Sequence, residues 1–571
     1  MKKRVSLLLI TLLLSGCVFS PDNSSSSSTS SSSASDSKLS NLESSFSISS
    51  NFTSNEPSLD IDSSSNISYS TSFDSESSFD SGSYSSLLSS DSSQSSSLSS
   101  STANVDKYID IYAINDFHGR ISENKSEYEP GISKLSTYLK SKKSQNEDGF
   151  IFLSSGDTWQ DTYESGYNKG ALISECLNQM GCEAMALGNH DFDWGLDVIK
   201  QNQALSPNCS FLSANVYNYP DTNTFANVGK EYKIIERNGL RIGIIGTIGS
   251  TQNTSITSSI WENLYFKETT DVVKNISDKL RIQENCDIVI WSNHASYDGS
   301  DPYNVTRISP VSNKRYVDAV FNAHTHRKEE RINNGVAFVQ GGSHGCQLGY
   351  IRLKITPEKS KTTVSYTNGL GYGRISSCEP DSEIDQIIAK YHDQTYLNDK
   401  NQEVGYLNSS SSTISSFYAG SLIAKATYEL YKEDMDINNV SLILNNGSRD
   451  AISSGVQTKE TIFNMAPFTN YTYICKNILG REINNEIGYS NYYYKVDENL
   501  VFEDDKYYTI ACIDYLLLHK GSSRNYNYFP SYKESNVVKI IKEYPFDIVA
   551  RYLGQVKTIT DDDFNNSHYK I

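Results

Sequence analysis

Residues 187–195 read LGNHDFDWG, with Asn189, His190 and Asp191 in a row directly after an apolar stretch (EAMAL, residues 183–187) and Gly188. Three polar side chains at the end of a strand contribute nothing to packing. Their reading decides whether this is a solvated turn or the mouth of a site.

Working outward, the same pattern recurs. YIDIYAI (108–114) runs into NDFHG, and FIFLSS (150–155) into GDTWQD. DIVIW (287–291) precedes SNHAS, and VDAVF (317–321) precedes NAHTH. Between these strand-like runs lie segments with apolar residues at helical spacing, such as ALISECLNQMG (171–181) and DVVKNISDKLRIQENC (271–286), the latter with Thr269 or Thr270 as its cap. RIGIIGTI (241–248) reads as a strand approached through a hairpin at Asn238-Gly239. The alternation is that of an α/β protein, in which strand ends form the place where ligands bind.

Five such loops offer Asp116 and His118, Asp157, Asn189 with His190 and Asp191, His294, and His324 with His326. Five of the chain's nine histidines fall in them. If these loops are extended, residues i and i+2 point the same way, so DFH and HTH would each aim two ligands at one place. Oxygen and imidazole donors without thiolate suit zinc, manganese, iron, nickel or cobalt rather than a structural cysteine site. These candidate ligands overfill one tetrahedral site, and seven of them (without His190 and Asp191) divide well between two divalent metal ions if one carboxylate bridges. Paired ions of that kind serve phosphate ester hydrolysis.

Composition bounds the rest. The chain has 571 residues and a net charge of −18, which disfavours nucleic acid as a partner. Residues 1–17, MKKRVSLLLITLLLSGC, have the layout of a secretory signal, too short to span a bilayer. Residues 18–105 are rich in serine and poor in apolar side chains, which predicts a disordered tether with an end-to-end distance of roughly 50 Å. Eight cysteines follow Cys17, with no CxxC pair.

Taken in order, DxH, GD, GNHD, SNH and HTH resemble the calcineurin-like metallophosphoesterases, and within them the bacterial 5′-nucleotidase family, over about residues 107–560. The resemblance implies an N-terminal metallophosphoesterase β-sandwich flanked by helices (106–374), a linker and hinge (375–416), and a second α/β substrate-binding domain (417–571). It implies that Asp116, His118 and His326 hold one metal and Asn189, His294 and His324 the other, with Asp157 bridging. His190 would contact the phosphoryl oxygens or leaving group, with Asp191 orienting and charging it. LNNGSRD (444–450) and APFTN (466–470) resemble the family's substrate motifs, giving Arg449, Phe468 as one of two rings around the base, and Asn470 as a base contact. Leu14-Ser15-Gly16-Cys17 resembles a lipobox, which would lipidate Cys17 and hold the protein at the outer face of the cell membrane.

One motif departs from the pattern. The loop in which the family places an aspartate on the nucleoside is here KGSSRNYNYF (520–529), without one. Tyr515 is the choice for the second ring and Phe529 a weaker one. The expected activity is release of phosphate from extracellular nucleotides by metal-activated water. UDP-sugar or 2′,3′-cyclic-nucleotide hydrolysis is the alternative, and a non-catalytic surface lipoprotein the rival from another class.

Overall fold

The computed structural model describes residues 107–295, 302–355, 362–366, 370–433, 440–445, 447–489, 492–518 and 528–565. The expectations about the signal, Cys17 and the serine-rich tether lie outside these residues, as does most of the 520–529 loop. Among the described residues no helix is long and apolar enough to cross a membrane.

The first domain is a sandwich of two sheets. Its strands are β1 (Lys107–Ile114), β2 (Phe150–Ser154), β3 (Ala184–Ala186), β4 (Ser210–Leu212), β5 (Tyr232–Arg237), β6 (Leu240–Ile248), β7 (Ile288–His294), β8 (Ala319–Asn322), β9 (Lys328–Asn333), β10 (Val336–Gly341), β11 (Gln347–Ile355) and β12 (Thr362–Tyr366). One sheet runs β12-β11-β1-β2-β3-β4 and the other β9-β10-β8-β7-β6-β5. Side chains alternate across each strand, so Ile109, Ile111, Ile151 and Leu153 meet Ile242, Ile244, Ile290 and Phe321 between the sheets. The opposite faces take helices. Tyr112, Ile114 and Phe152 pack on Leu135, Leu139 and Leu172, while Ile245, Val289 and Trp291 pack on Val273, Ile276 and Leu280. Strands buried on both faces read as continuous apolar runs, which is why they stand out in the sequence.

The Asn238-Gly239 hairpin forms as its residues predict: both have positive φ (52° and 68°) between the antiparallel β5 and β6. The Thr269–Ile282 helix begins one or two residues earlier than expected. Its cap is Glu268, and both threonines are buried inside the first turn.

Strands β1 to β4 are mutually parallel, and so are β6, β7, β8 and β10. Their carboxyl ends therefore open on one rim, which carries all five polar loops.

In the segment expected to link the domains, the Ser382–Tyr391 helix belongs to the first domain, with Ile384 in its core and Ser133 donating to Asp385 at 2.6 Å. A second helix, Gln394–Lys400, follows. Beyond it, Glu403–Asn408 is a strand of the second domain, and Thr413–Ile414 pairs with Ile452–Ser453. That domain is built on a five-stranded sheet in which Val440–Leu444 lies between Tyr493–Lys495 and Tyr507–Ile513, with helices Ser416–Tyr431 and Pro545–Val556 packed together in its core.

Candidate metal centre and active site

The rim loops are not extended. Asp116 (φ 48°), His118 (52°), Asp157 (50°), His324 (75°) and His326 (57°) all adopt the left-handed region, at a cost on the order of 1–3 kcal/mol each for a non-glycine residue. Cross-loop hydrogen bonds hold them there. Asp116 donates its N–H to Gly156 O at 2.9 Å, His118 to Asp157 O at 3.0 Å, and His324 to the Asp116 carboxylate at 2.8 Å. Gly188 is needed for closeness: a Cβ there would fall 2.2 Å from Asp157 Oδ1.

The donors sort into two groups, Asp116–His118–His326 and Asp157–His294–His324. HTH thus divides its histidines between the groups, instead of aiming both at one place as an extended segment would. In the first group His118 Nε2 is 3.1 Å from His326 Nε2, and His326 Nε2 is 3.7 Å from Asp116 Oδ1. Asp157 Oδ2 lies 3.2 Å from His294 Nε2 and 3.8 Å from His118 Nε2, so one carboxylate oxygen faces both groups.

Backbone carbonyls set the tautomers. Nδ1 of His118 meets Gln160 O at 3.0 Å, and Nδ1 of His294 meets Ser155 O at 2.8 Å. Each Nε2 lone pair is then left for a ligand.

The residues fit a pair of divalent cations. Asn189 Oδ1 is buried without a hydrogen-bond partner, an arrangement that is costly unless something else is coordinated there. Burial and neighbouring positive charge push His118 and His326 well down, and His324 to about 3, so these rings are neutral donors at pH 7. Against the effect of burial, the Asp157 carboxylate raises His294 to about 9, while burial raises Asp116 to about 7. In both cases a proton stands where a cation would carry the charge.

His190 sits beside these groups, its ring centroid 5.4 Å from that of His118. Asp191 does not orient it. The Asp191 carboxylate accepts the backbone N–H groups of Asp157, Thr158 and Gly188 at 2.8–2.9 Å and so ties two ligand loops together. The carboxylate on His190 is Asp193, with Oδ2 2.8 Å from Nδ1. Residues 190–192 form a 3₁₀ turn, in which i and i+3 share a face and i+1 points away. Against the effect of burial, Asp193 raises His190 above the usual histidine range.

The second domain completes the rim. Arg449 Nη2 is 3.3 Å from His190 Nε2, its Nε donates to Asp161 Oδ1 at 2.7 Å, and its Cζ lies 5.8 Å from the ring centre of the half-buried Phe468. Gln160 Nε2 donates to Pro467 O at 2.5 Å, and Thr469 Oγ1 to Asp193 O at 3.1 Å. Asn470 is buried, its amide donating to Asp514 at 2.7 Å, and Tyr515 hydrogen-bonds Ser255 of the first domain. Phe529 is fully buried in the second domain's core and has no face to offer a base.

Asp193, Asp161, Arg120 and His344 escaped the sequence reading. Asp193 carried a local signal, the i+3 spacing from His190. His344, 2.9 Å from Glu129 and in ring contact with His118 and His326, carried none, because it follows an ordinary strand and turn.

Residues 109–328 match the calcineurin-like phosphoesterase family, a stretch that includes every ligand candidate and His190. The chain is similar to an apyrase of Tabanus yao, 31% identical over 227 residues that are 38% of this chain and 39% of that protein. It is also similar to the 5′-nucleotidase of Rattus norvegicus, 24% identical over 397 residues, 62% of this chain and 66% of the relative. The chain thus spans between about two fifths and two thirds of the length of these curated relatives. The crystal structure of a 5′-nucleotidase precursor from Thermus thermophilus matches with a TM-score of 0.62 at 16% identity, over 79% of this chain and 97% of that one. That likeness shows a shared two-domain fold.

Proposed function

We propose that the protein is a metal-dependent 5′-nucleotidase, which cleaves nucleoside monophosphates to nucleoside and inorganic phosphate. One observation carries the reading: Asp157 Oδ2 faces both ligand groups, 3.2 Å from His294 and 3.8 Å from His118, and a guanidinium and an aromatic ring from a second domain stand over the same rim. Two divalent cations held there would supply an activated water and neutralise the phosphoryl charge. The chain's own residues do the remaining work. Asp157 sets the spacing of the two groups. His190, kept protonated by Asp193, presents Nε2 to the phosphoryl oxygens or to the departing 5′-oxygen. Arg449 adds a second donor beside it, and Phe468 offers a π face, which suits every nucleobase.

The same reading places the protein outside the cell membrane, held through a lipid on Cys17 and a serine-rich tether, where released nucleosides become available for import. It is supported by the Leu-Ser-Gly-Cys ending of the signal-like segment.

The test is phosphate release by the purified, metal-loaded chain from AMP, UMP, UDP-glucose and 2′,3′-cyclic nucleotides. The monophosphates should be turned over with the highest kcat/KM. Turnover confined to UDP-glucose or to the cyclic nucleotides would replace this reading with that activity.

A further inference from the structure

The GDTWQD loop carries a second aspartate, four residues after Asp157, that the metal groups do not use. Asp161 is 1% exposed and has a φ of 153°, a conformation that L side chains rarely adopt. Its Oδ1 accepts Arg449 Nε at 2.7 Å. Its Oδ2 is buried without a hydrogen-bond partner, 3.7 Å from Arg120 Nη2. A carboxylate fixed this way, on a loop that also bears a metal-ligand candidate, is a rigid anchor reaching across the domain boundary.

A guanidinium is planar, with five N–H donors in a fixed fork. Arg449 is pinned at two points, its backbone N–H on Met465 O at 2.8 Å and its Nε on Asp161. These constraints leave the two terminal nitrogens to face the rim, and Nη2 reaches to 3.3 Å from His190 Nε2. Asp161 uses only the Nε position, so an anion beside His190 and the Asp161 carboxylate can be held by Arg449 at the same time.

We propose that Asp161 is a positioning residue for Arg449: held by the first domain, it aims the guanidinium of the second domain at the phosphoryl group. The inference rests on the phosphoesterase reading, in that a phosphoryl group occupies the space beside His190. It extends that reading by naming what makes Arg449 competent.

The test is a double-mutant cycle on the full, metal-loaded chain, read by calorimetric binding of inorganic phosphate and by metal content. Asp161→Ala should weaken phosphate binding by about tenfold, the scale of one charge-assisted hydrogen bond, with both metal equivalents retained. Asp161→Asn, which can still accept from Nε, should recover most of that loss. Combined with Arg449→Ala, removal of Asp161 should cost nothing further, because it acts only through the arginine. Additive losses, loss of metal from Asp161→Ala, tighter phosphate binding in that variant, or no phosphate binding by the wild type would each overturn the proposal. AMP turnover on the same preparation is scored separately: its absence would sink the nucleotidase reading without touching the cycle.

Discussion

His190 Nδ1 lies 2.8 Å from Asp193 Oδ2, while Asp191, its immediate neighbour, binds three backbone N–H groups and never reaches the ring. The two carboxylates therefore have separable roles. Asp193 charges a donor, and Asp191 braces the ligand loops.

Mutation should separate them. His190→Ala should keep both metal equivalents and lose on the order of 10²–10³ in kcat. Asp193→Ala should move in the same direction. Asp191→Ala should instead lower Tm and metal content, since each orphaned buried N–H costs roughly 1–3 kcal/mol. Metal analysis beside kcat decides it: metal loss in Asp193→Ala with none in Asp191→Ala would reverse the assignment.

The division of ligands between two groups predicts stoichiometry. Asn189→Ala or His324→Ala should retain one metal equivalent of two, whereas Asp157→Ala, which removes the shared carboxylate, should weaken both. Chelation should lower Tm in the wild type, since a ligand at 100 times its Kd stabilises the fold by about 2.7 kcal/mol. A single equivalent in the wild type, by elemental analysis, would contradict the paired site.

Phe468→Ala should discriminate between substrates. Loss of base stacking, roughly 1–3 kcal/mol, raises KM for AMP by about 5- to 150-fold. Hydrolysis of p-nitrophenyl phosphate, which has no base, should change much less. Equal losses on both would make Phe468 a packing residue.

Glu486, on the Gly480–Tyr489 helix, gives a pH signature away from the metals. Burial raises its carboxyl from 4.5 to about 7. The folded state then binds the proton more tightly than the unfolded chain, so stability from this group is full below pH 4.5 and falls as pH rises to about 7. Glu486→Gln should remove that fall. Urea midpoints of the two proteins should diverge between those pH values, in favour of the variant, and run parallel above. A constant gap from pH 4 to 8 would count against a buried carboxyl.

Anchoring is tested at Cys17. Cys17→Ala should leave the detergent phase for the aqueous phase and keep its activity, because the tether separates the anchor from the fold. Unchanged partitioning would remove the lipid from the proposal.

The strands were legible because those buried on both faces become unbroken apolar runs, and each rim loop was legible as the polar cluster that ends one. The ligand residues could be read for the same reason: donors of one chemistry recur at one structural position. At Asp191 adjacency in sequence misleads about adjacency in space, because a 3₁₀ turn places i+3, not i+1, beside residue i.

The sequence by itself determined the α/β class, the rim on which the loops meet and the candidate metal donors, since all of these follow from local periodicity and side-chain chemistry. Tertiary structure alone decided that the Asp191 carboxylate braces the ligand loops and that Arg449 stands between Asp161 and His190, residues 288 and 259 positions away. Those relations depend on left-handed loop residues and on contacts between the two domains. Both are set by long-range hydrogen bonds, whose partners no local pattern names.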